Sequence, residues 1–190
     1  VQRRGKSGKP LLLIHSEDNY ETTQPFVEEL AKKYRLFIPR MPGFGRSTLP
    51  DSVMTIDDMS YIFLDFLEHY KLTDVRIMGF SVGGWLAAEM ASKSCARISK
   101  LVLVDPLGVK IGGKYDRDIE DIYYLPFDVV KKLKFYNPDK DPRILTAMND
   151  REAFLLARHR ESTARLCWKP YFHNPSLKHR LNRISAKTLM

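Results

Sequence analysis

Val75-Arg76-Ile77-Met78-Gly79-Phe80-Ser81-Val82-Gly83-Gly84 decides how the rest of this chain is read. A short apolar run passes through Gly79-x-Ser81-x-Gly83 and straight into Trp85-Leu86-Ala87-Ala88-Glu89-Met90-Ala91, which has a helical pattern. Strand, sharp turn and helix form the setting that a Gly-x-Ser-x-Gly nucleophile elbow requires. A serine hydroxyl is a poor nucleophile at neutral pH, so it needs exposure, a partner base and nearby oxyanion donors. The turn provides the exposure by holding Ser81 at its tip in a strained conformation. Gly79 and Gly83 omit the Cβ atoms that would clash there. The main-chain N–H of Val82 then points to where a substrate oxygen would gather negative charge. The rival reading is a purely structural turn, and the second glycine, Gly84, weighs against it.

Outward from this stretch, apolar runs alternate with helical patterns. Strands are expected at 10–14, 35–39, 75–80 and 100–105, and helices at 24–34, 55–70 and 82–94. Thr55-x-x-Asp58 is a capping signal for the second helix. The run Lys100-Leu101-Val102-Leu103-Val104-Asp105 is of the type buried on both faces of a parallel sheet. Alternation throughout predicts an α/β class, a doubly wound, mainly parallel sheet over residues 1–108. Catalytic groups in such folds gather at the C-terminal ends of strands, and His15, Ser81 and Asp105 each stand at one.

From Pro106 the character changes. Short helices are expected at 119–124, 127–135 and 142–148, broken by Pro126, Pro138 and Pro142, then a longer one at 150–168. Residues 109–178 are read as a helical lid over the strand ends, and 179–190 as a return to the core with another strand beginning at 188–190.

The chain has 190 residues, 44% of them hydrophobic, enough for one sizeable core. No apolar run approaches the roughly 20 residues that span a bilayer, and the first residues lack a signal-peptide centre. The chain does not start with Met. Cys95 and Cys167 make neither a disulfide framework nor a metal spacing, so a reducing, cytoplasmic location is expected. Net charge is +8, with 14 Lys/Arg against 5 Asp/Glu in residues 131–190. These basic residues are scattered among apolar ones without the repeats of a nucleic-acid module, so a solvated face is the preferred reading.

Four ordered pieces resemble the α/β-hydrolase fold family, in its lid-bearing serine hydrolase branch: residues 10–15, Pro42-Gly43-Phe44-Gly45-Arg46-Ser47, residues 78–84 and residues 101–106. The resemblance implies Ser81 as nucleophile, Val82 as one oxyanion donor through its N–H, and the turn at Ser16 and Glu17 as the second. Ser16 stands where the family usually has Gly, Phe80 where His is commoner, and Arg40 where an acid is common. The family's acid and histidine follow the serine later in the chain, so the resemblance implies an internal piece of a longer hydrolase, truncated at both ends. Asp105 is a candidate acid. His15, Phe80, Trp168 and His173 are candidates for the pocket, whereas His69, His159 and His179 read as solvated. No metal or cofactor is expected. The expected activity is hydrolysis of a carboxylic ester or related acyl or C–C substrate through an acyl-enzyme, on a small apolar or aromatic molecule suggested by Tyr123, Tyr124, Phe127, Trp168, Tyr171 and Phe172. The basic lid suggests an anionic substrate. The alternative is a non-catalytic binding protein or receptor on the same fold.

Overall fold

The computed structural model describes residues 1–19, 25–113, 115–141 and 145–190. Three apolar runs, β2 (Pro10–Ile14), β4 (Val75–Phe80) and β5 (Ile98–Val104), lie side by side as its parallel centre. With β1 (Gln2–Arg4), β3 (Arg35–Ile38) and β6 (Lys187–Leu189) they make one six-stranded sheet in the order β1-β3-β2-β4-β5-β6. Every pairing is parallel except β1 with β3.

Side chains alternate across a strand, so β2 divides its residues between two cores. Leu12 and Ile14 join Ile77, Leu101, Met59, Phe63, Leu86 and Met90 on the face covered by α2 (Ile56–His69) and α3 (Val82–Lys93). Leu11 and Leu13 join Leu36, Ile38 and Val27 on the face covered by α1 (Pro25–Lys33). The sheet is thus doubly covered, as the apolar runs require. The predicted capping box at α2 is present: Asp58 N donates to Thr55 Oγ1 at 3.1 Å, and Thr55 N donates to Asp58 Oδ2 at 2.9 Å.

The structure differs from the sequence expectation in several places. β1, a Gln-Arg-Arg stretch without an apolar signal, is an edge strand held by Arg3 lying over the rings of Phe37 and Tyr70. Residues 119–124 form no helix, because Asp121 instead gathers the amides of Tyr123 and Tyr124 into a turn. The expected return segment is two 3₁₀ turns, Leu177–His179 and Leu181–Arg183. The residues after β5 do supply two helices, α4 (Phe127–Lys134) and α5 (Asp150–Cys167), the latter opened by an Asn149–Glu152 capping box. Gln24 and residues 142–144, where two of the expected helices begin, lie outside the described residues. Leu145–Ala147 is a single 3₁₀ turn.

Candidate functional site

Ser81 occupies the corner between β4 and α3 with φ 49° and ψ −113°. A non-glycine residue holds this conformation only when its surroundings enforce it. Here Ser81 N donates to Val104 O at 2.9 Å, and Ser81 O accepts from Trp85 N at 3.0 Å and Leu107 N at 3.3 Å. The flanking glycines allow main chains to touch. A Cβ on Gly79 would fall 2.4 Å from Gly83 O, and one on Gly83 would fall 2.4 Å from His15 O. Val82 N–H is the first amide of α3, where the helix offers no acceptor.

Ser81 borders a cavity of about 250 Å³. Leu107, Ile119, Ile122 and Phe172 form its apolar wall, and Glu17, Asp118, Glu120 and Lys134 its polar one. None of the described histidines lines it.

The turn after β2 reaches the cavity through Glu17. Ser16 Oγ folds the turn by accepting from the amides of Asp18 and Asn19, at 3.2 and 3.3 Å. His15 is fully buried behind it. Nε2 accepts from Met41 N at 3.0 Å, so Nδ1 carries the proton donated to Ser16 O at 2.6 Å. Both ring nitrogens are thereby used, and burial lowers the pKa to about 3, so the ring is neutral. His15 thus ties the turn at Ser16 to the Met41 loop, and it stands behind the cavity rather than in it.

Glu17 is buried, and its Oε1 receives Lys134 Nζ of α4 at 2.5 Å. The same ammonium reaches Asp18 Oδ2 at 2.8 Å. Burial alone would raise the Glu17 pKa, but Lys134, the residue's own main-chain N–H and the Ser81 hydroxyl outweigh it and hold the carboxyl below its usual range. Lys134 is lifted to about 12, the two carboxylates overcoming its desolvation. The other Glu17 oxygen, Oε2, is buried and makes no hydrogen bond.

Several expected pocket residues lie elsewhere. Phe80 points to the α1 face, its ring 5.8 Å from Phe26, because alternation along β4 sends it away from α3. Trp168 is 59% exposed and packs edge-on against Tyr171, and Tyr124 is 84% exposed. His173 lines a separate cavity with Trp85, Asp57 and Asn174. Asp105 follows β5 with φ 43° and is exposed, outside the Ser81 cavity. His159 is buried beside Phe44, not solvated.

Two features escaped the sequence. Lys134 is one lysine among several on α4, and nothing local marks it. Glu89, fully buried on α3, accepts from Trp85 Nε1 at 3.0 Å and Asn174 Nδ2 at 2.8 Å, and pairs with Lys93, which also holds Asp57 of α2. This network anchors the helix that carries Ser81. Among the described residues no group of three His, Cys, Asp or Glu is arranged to hold a metal ion, and no helix is long and apolar enough to cross a membrane.

Comparison with known proteins bears on this arrangement. A dihydrolipoyllysine-residue acetyltransferase component of an acetoin cleaving system from Pseudomonas putida is 28% identical over 117 residues, 58% of this chain and 31% of that protein. A pimeloyl-[acyl-carrier protein] methyl ester esterase from Pectobacterium carotovorum is 30% identical over 104 residues, 54% of this chain and 39% of that protein. The chain thus spans well under half the length of these curated relatives. The crystal structure of an N-formylmaleamic acid deformylase from Pseudomonas putida S16 superposes with a TM-score of 0.71 over 98% of this chain and 74% of that one, at 20% identity, which is a likeness of fold. The sequence profile of the alpha/beta hydrolase fold matches residues 9–186. The chain belongs to the alpha/beta hydrolase fold family.

Proposed function

We propose that this chain carries the nucleophile of a serine hydrolase acting on a carboxylic ester or related acyl substrate. Ser81 Oγ attacks the carbonyl carbon, and the proton it loses passes through a base to the leaving alcohol. The resulting acyl-enzyme is cleaved by water, which returns the proton to Ser81 and releases the acid. The Val82 N–H, unclaimed by α3, receives the oxyanion; a donor of this kind contributes about 3 kcal/mol to the transition state. None of the described residues is assigned the role of base. The observation that carries this reading is the strained corner itself, with Ser81 at φ 49° opening on a partly apolar cavity. Residues 109–178 act in this reading as a lid, since Ile119, Ile122, Lys134 and Phe172 close the cavity over the serine. Their apolar wall suits an uncharged acyl or alkyl group. The relative named as a methyl ester esterase supports ester chemistry.

A second reading, a binding protein without turnover, is favoured by one feature. The Glu17 carboxylate, held by Lys134, borders the Ser81 cavity on the side of the Ser16–Glu17 turn, and a fixed negative charge there opposes an oxyanion. Labelling with a fluorophosphonate probe separates the two. Wild type is expected to take up the probe at least ten times faster than Ser81→Ala. Equal labelling of the two, or none of either, overturns the nucleophile assignment and leaves the binding reading.

A further inference from the structure

Residues 131–190 hold 14 Lys/Arg against 5 Asp/Glu, and folding decides where that charge is displayed. It is not displayed at Ser81. There Glu17, Asp118 and Glu120 face Lys134, which is already shared between Glu17 and Asp18. Two other cavities, of about 220 and 490 Å³, meet at Pro170, His173 and Asn174. Neither has a lining residue in common with the Ser81 cavity. The larger falls within the roughly 300–1,000 Å³ usual for small-molecule sites.

The charges along these two cavities are unequal. Asp57 is the one carboxylate among the described lining residues, and it is held by Lys93 at 2.8 Å and Arg180 at 3.5 Å. Asp116 and Asp118 stand nearby, but Lys110 and the amides of Ile111, Gly112 and Gly113 hold them. Lys169 borders the smaller cavity and Lys178 the larger. Both are exposed, and neither has a partner among the described residues. Two ammonium groups are thus uncompensated. Half-buried His173 stands where the cavities meet, its Nδ1 donating to Tyr171 O at 2.9 Å. Its Nε2 is left without a partner among the described residues.

We propose that these joined cavities form a second site, apart from Ser81, that binds a small phosphate monoester at His173 between Lys169 and Lys178. The charge sets the class of ligand. Two unpaired ammonium groups match a dianion, which a single carboxylate is not, and lysine binds phosphate as a point charge. Their four-carbon stems are flexible, so both can close on one phosphate. Imidazole and a phosphate monoester ordinarily titrate close together, at about 6.5 and 6, so one proton between Nε2 and a phosphate oxygen serves both. The organic group has apolar surface to rest on, from Pro170 and Pro175 in the larger cavity and Trp85 and Leu166 in the smaller. A concave site of this size suits a small molecule rather than a polymer backbone.

Calorimetric titration of the full chain at pH 7 with phenyl phosphate, inorganic phosphate and phenylacetate tests this. Phenyl phosphate should bind about tenfold tighter than phenylacetate, which carries one charge, and tighter than inorganic phosphate, which lacks the ring. Replacing both lysines, Lys169→Met with Lys178→Met, should weaken phenyl phosphate by at least about tenfold. Lys132→Met removes an exposed lysine of α4 that borders neither cavity, and should leave the affinity within about twofold. Because Lys169 and Lys178 are exposed and unpaired, the double variant should keep the wild-type melting midpoint. In NMR spectra the His173 Hε1 signal should move on addition of phenyl phosphate, while that of His69 on α2 stays in place. Ser81→Ala should bind phenyl phosphate as the wild type does, so the result stands whether or not Ser81 is a nucleophile. No binding of phenyl phosphate, equal binding of phenylacetate or of inorganic phosphate, an equal loss in Lys132→Met, affinity kept in the double variant, or an unmoved His173 signal overturns the proposal.

Discussion

From β2 to β5 the chain is assembled by apolar burial, whereas residues 109–178 are oriented on it by individual polar pairs. In the first region Leu12, Leu13, Ile14, Ile77 and Leu86 are each completely buried, and every one belongs to a repeating pattern. The second region adds Leu166, Cys167, Phe172 and Leu177 to that core, but its seating depends on donors aimed at single carbonyls. Arg158 and Ser162 of α5 both donate to Gly43 O, at 3.2 and 2.7 Å, and Arg158 also reaches Ser47 O at 2.8 Å. Tyr123 Oη donates to Arg160 O at 2.7 Å, Tyr171 Oη accepts from Ile122 N at 2.9 Å, and Lys134 clasps Glu17 and Asp18. Burial is non-directional and scales with area, so many residues share it. A polar pair is directional and rests on two groups, so a change at one is felt locally.

The strongest way to break this contrast is to disturb the close approach of main chains under Ser81. Gly83→Ala should cost at least about 4 kcal/mol in denaturant unfolding, because the new Cβ meets the carbonyl oxygens of His15 and Ile14, which cannot yield. Gly84→Ala, whose Cβ would meet Pro106 Cβ at 3.0 Å, should cost about 1 kcal/mol. Equal effects would mean that the corner is not held as tightly as its geometry indicates.

Acid should act next most strongly, at the junction of the two regions. Buried His15 stays neutral in the fold down to about pH 3, whereas the unfolded chain takes up that proton near 6.5. Between these values the unfolded state binds more protons, so stability falls as pH falls, by up to about 1.4 kcal/mol per pH unit. His159, lowered by burial and by Arg40, adds in the same direction. Denaturation midpoints of wild type and His15→Gln across pH 6.5 to 4 check this. The variant's slope should be visibly flatter, and parallel slopes would remove His15 as the cause.

The smallest expected effect sharpens the comparison from the other side. Ser162→Ala removes one donor to Gly43 O and leaves Arg158 on it, so global stability should fall by only about 1 kcal/mol. Hydrogen exchange in α5 should quicken while the amides of β4 keep their protection. A loss of protection spread evenly through β4 and α5 would show that the two regions unfold as one unit.

How much was legible follows the same division. The strands at 10–14, 75–80 and the β5 run, the capping box at Thr55 and the corner at Ser81 could all be read, because each is stated by neighbouring residues. Edge strand β1 could not, since polar Gln2, Arg3 and Arg4 owe their conformation to pairing with β3. The turn at Asp121 resembled a helix because a side chain that gathers nearby amides leaves no periodic mark. Phe80, Trp168 and His173 suggested a pocket by their chemistry, yet strand alternation and local packing turn them elsewhere.

By itself, then, the order of residues determined the doubly covered parallel sheet and the place of Ser81 at the corner between β4 and α3, because a period of two or 3.6 and a glycine on either side act over a few neighbours. Only the tertiary structure decided what faces that serine. Lys134 and Glu17 are 117 positions apart in the chain, and their pairing, like the unfilled oxygen it leaves, exists only once α4 has been laid across the end of β2.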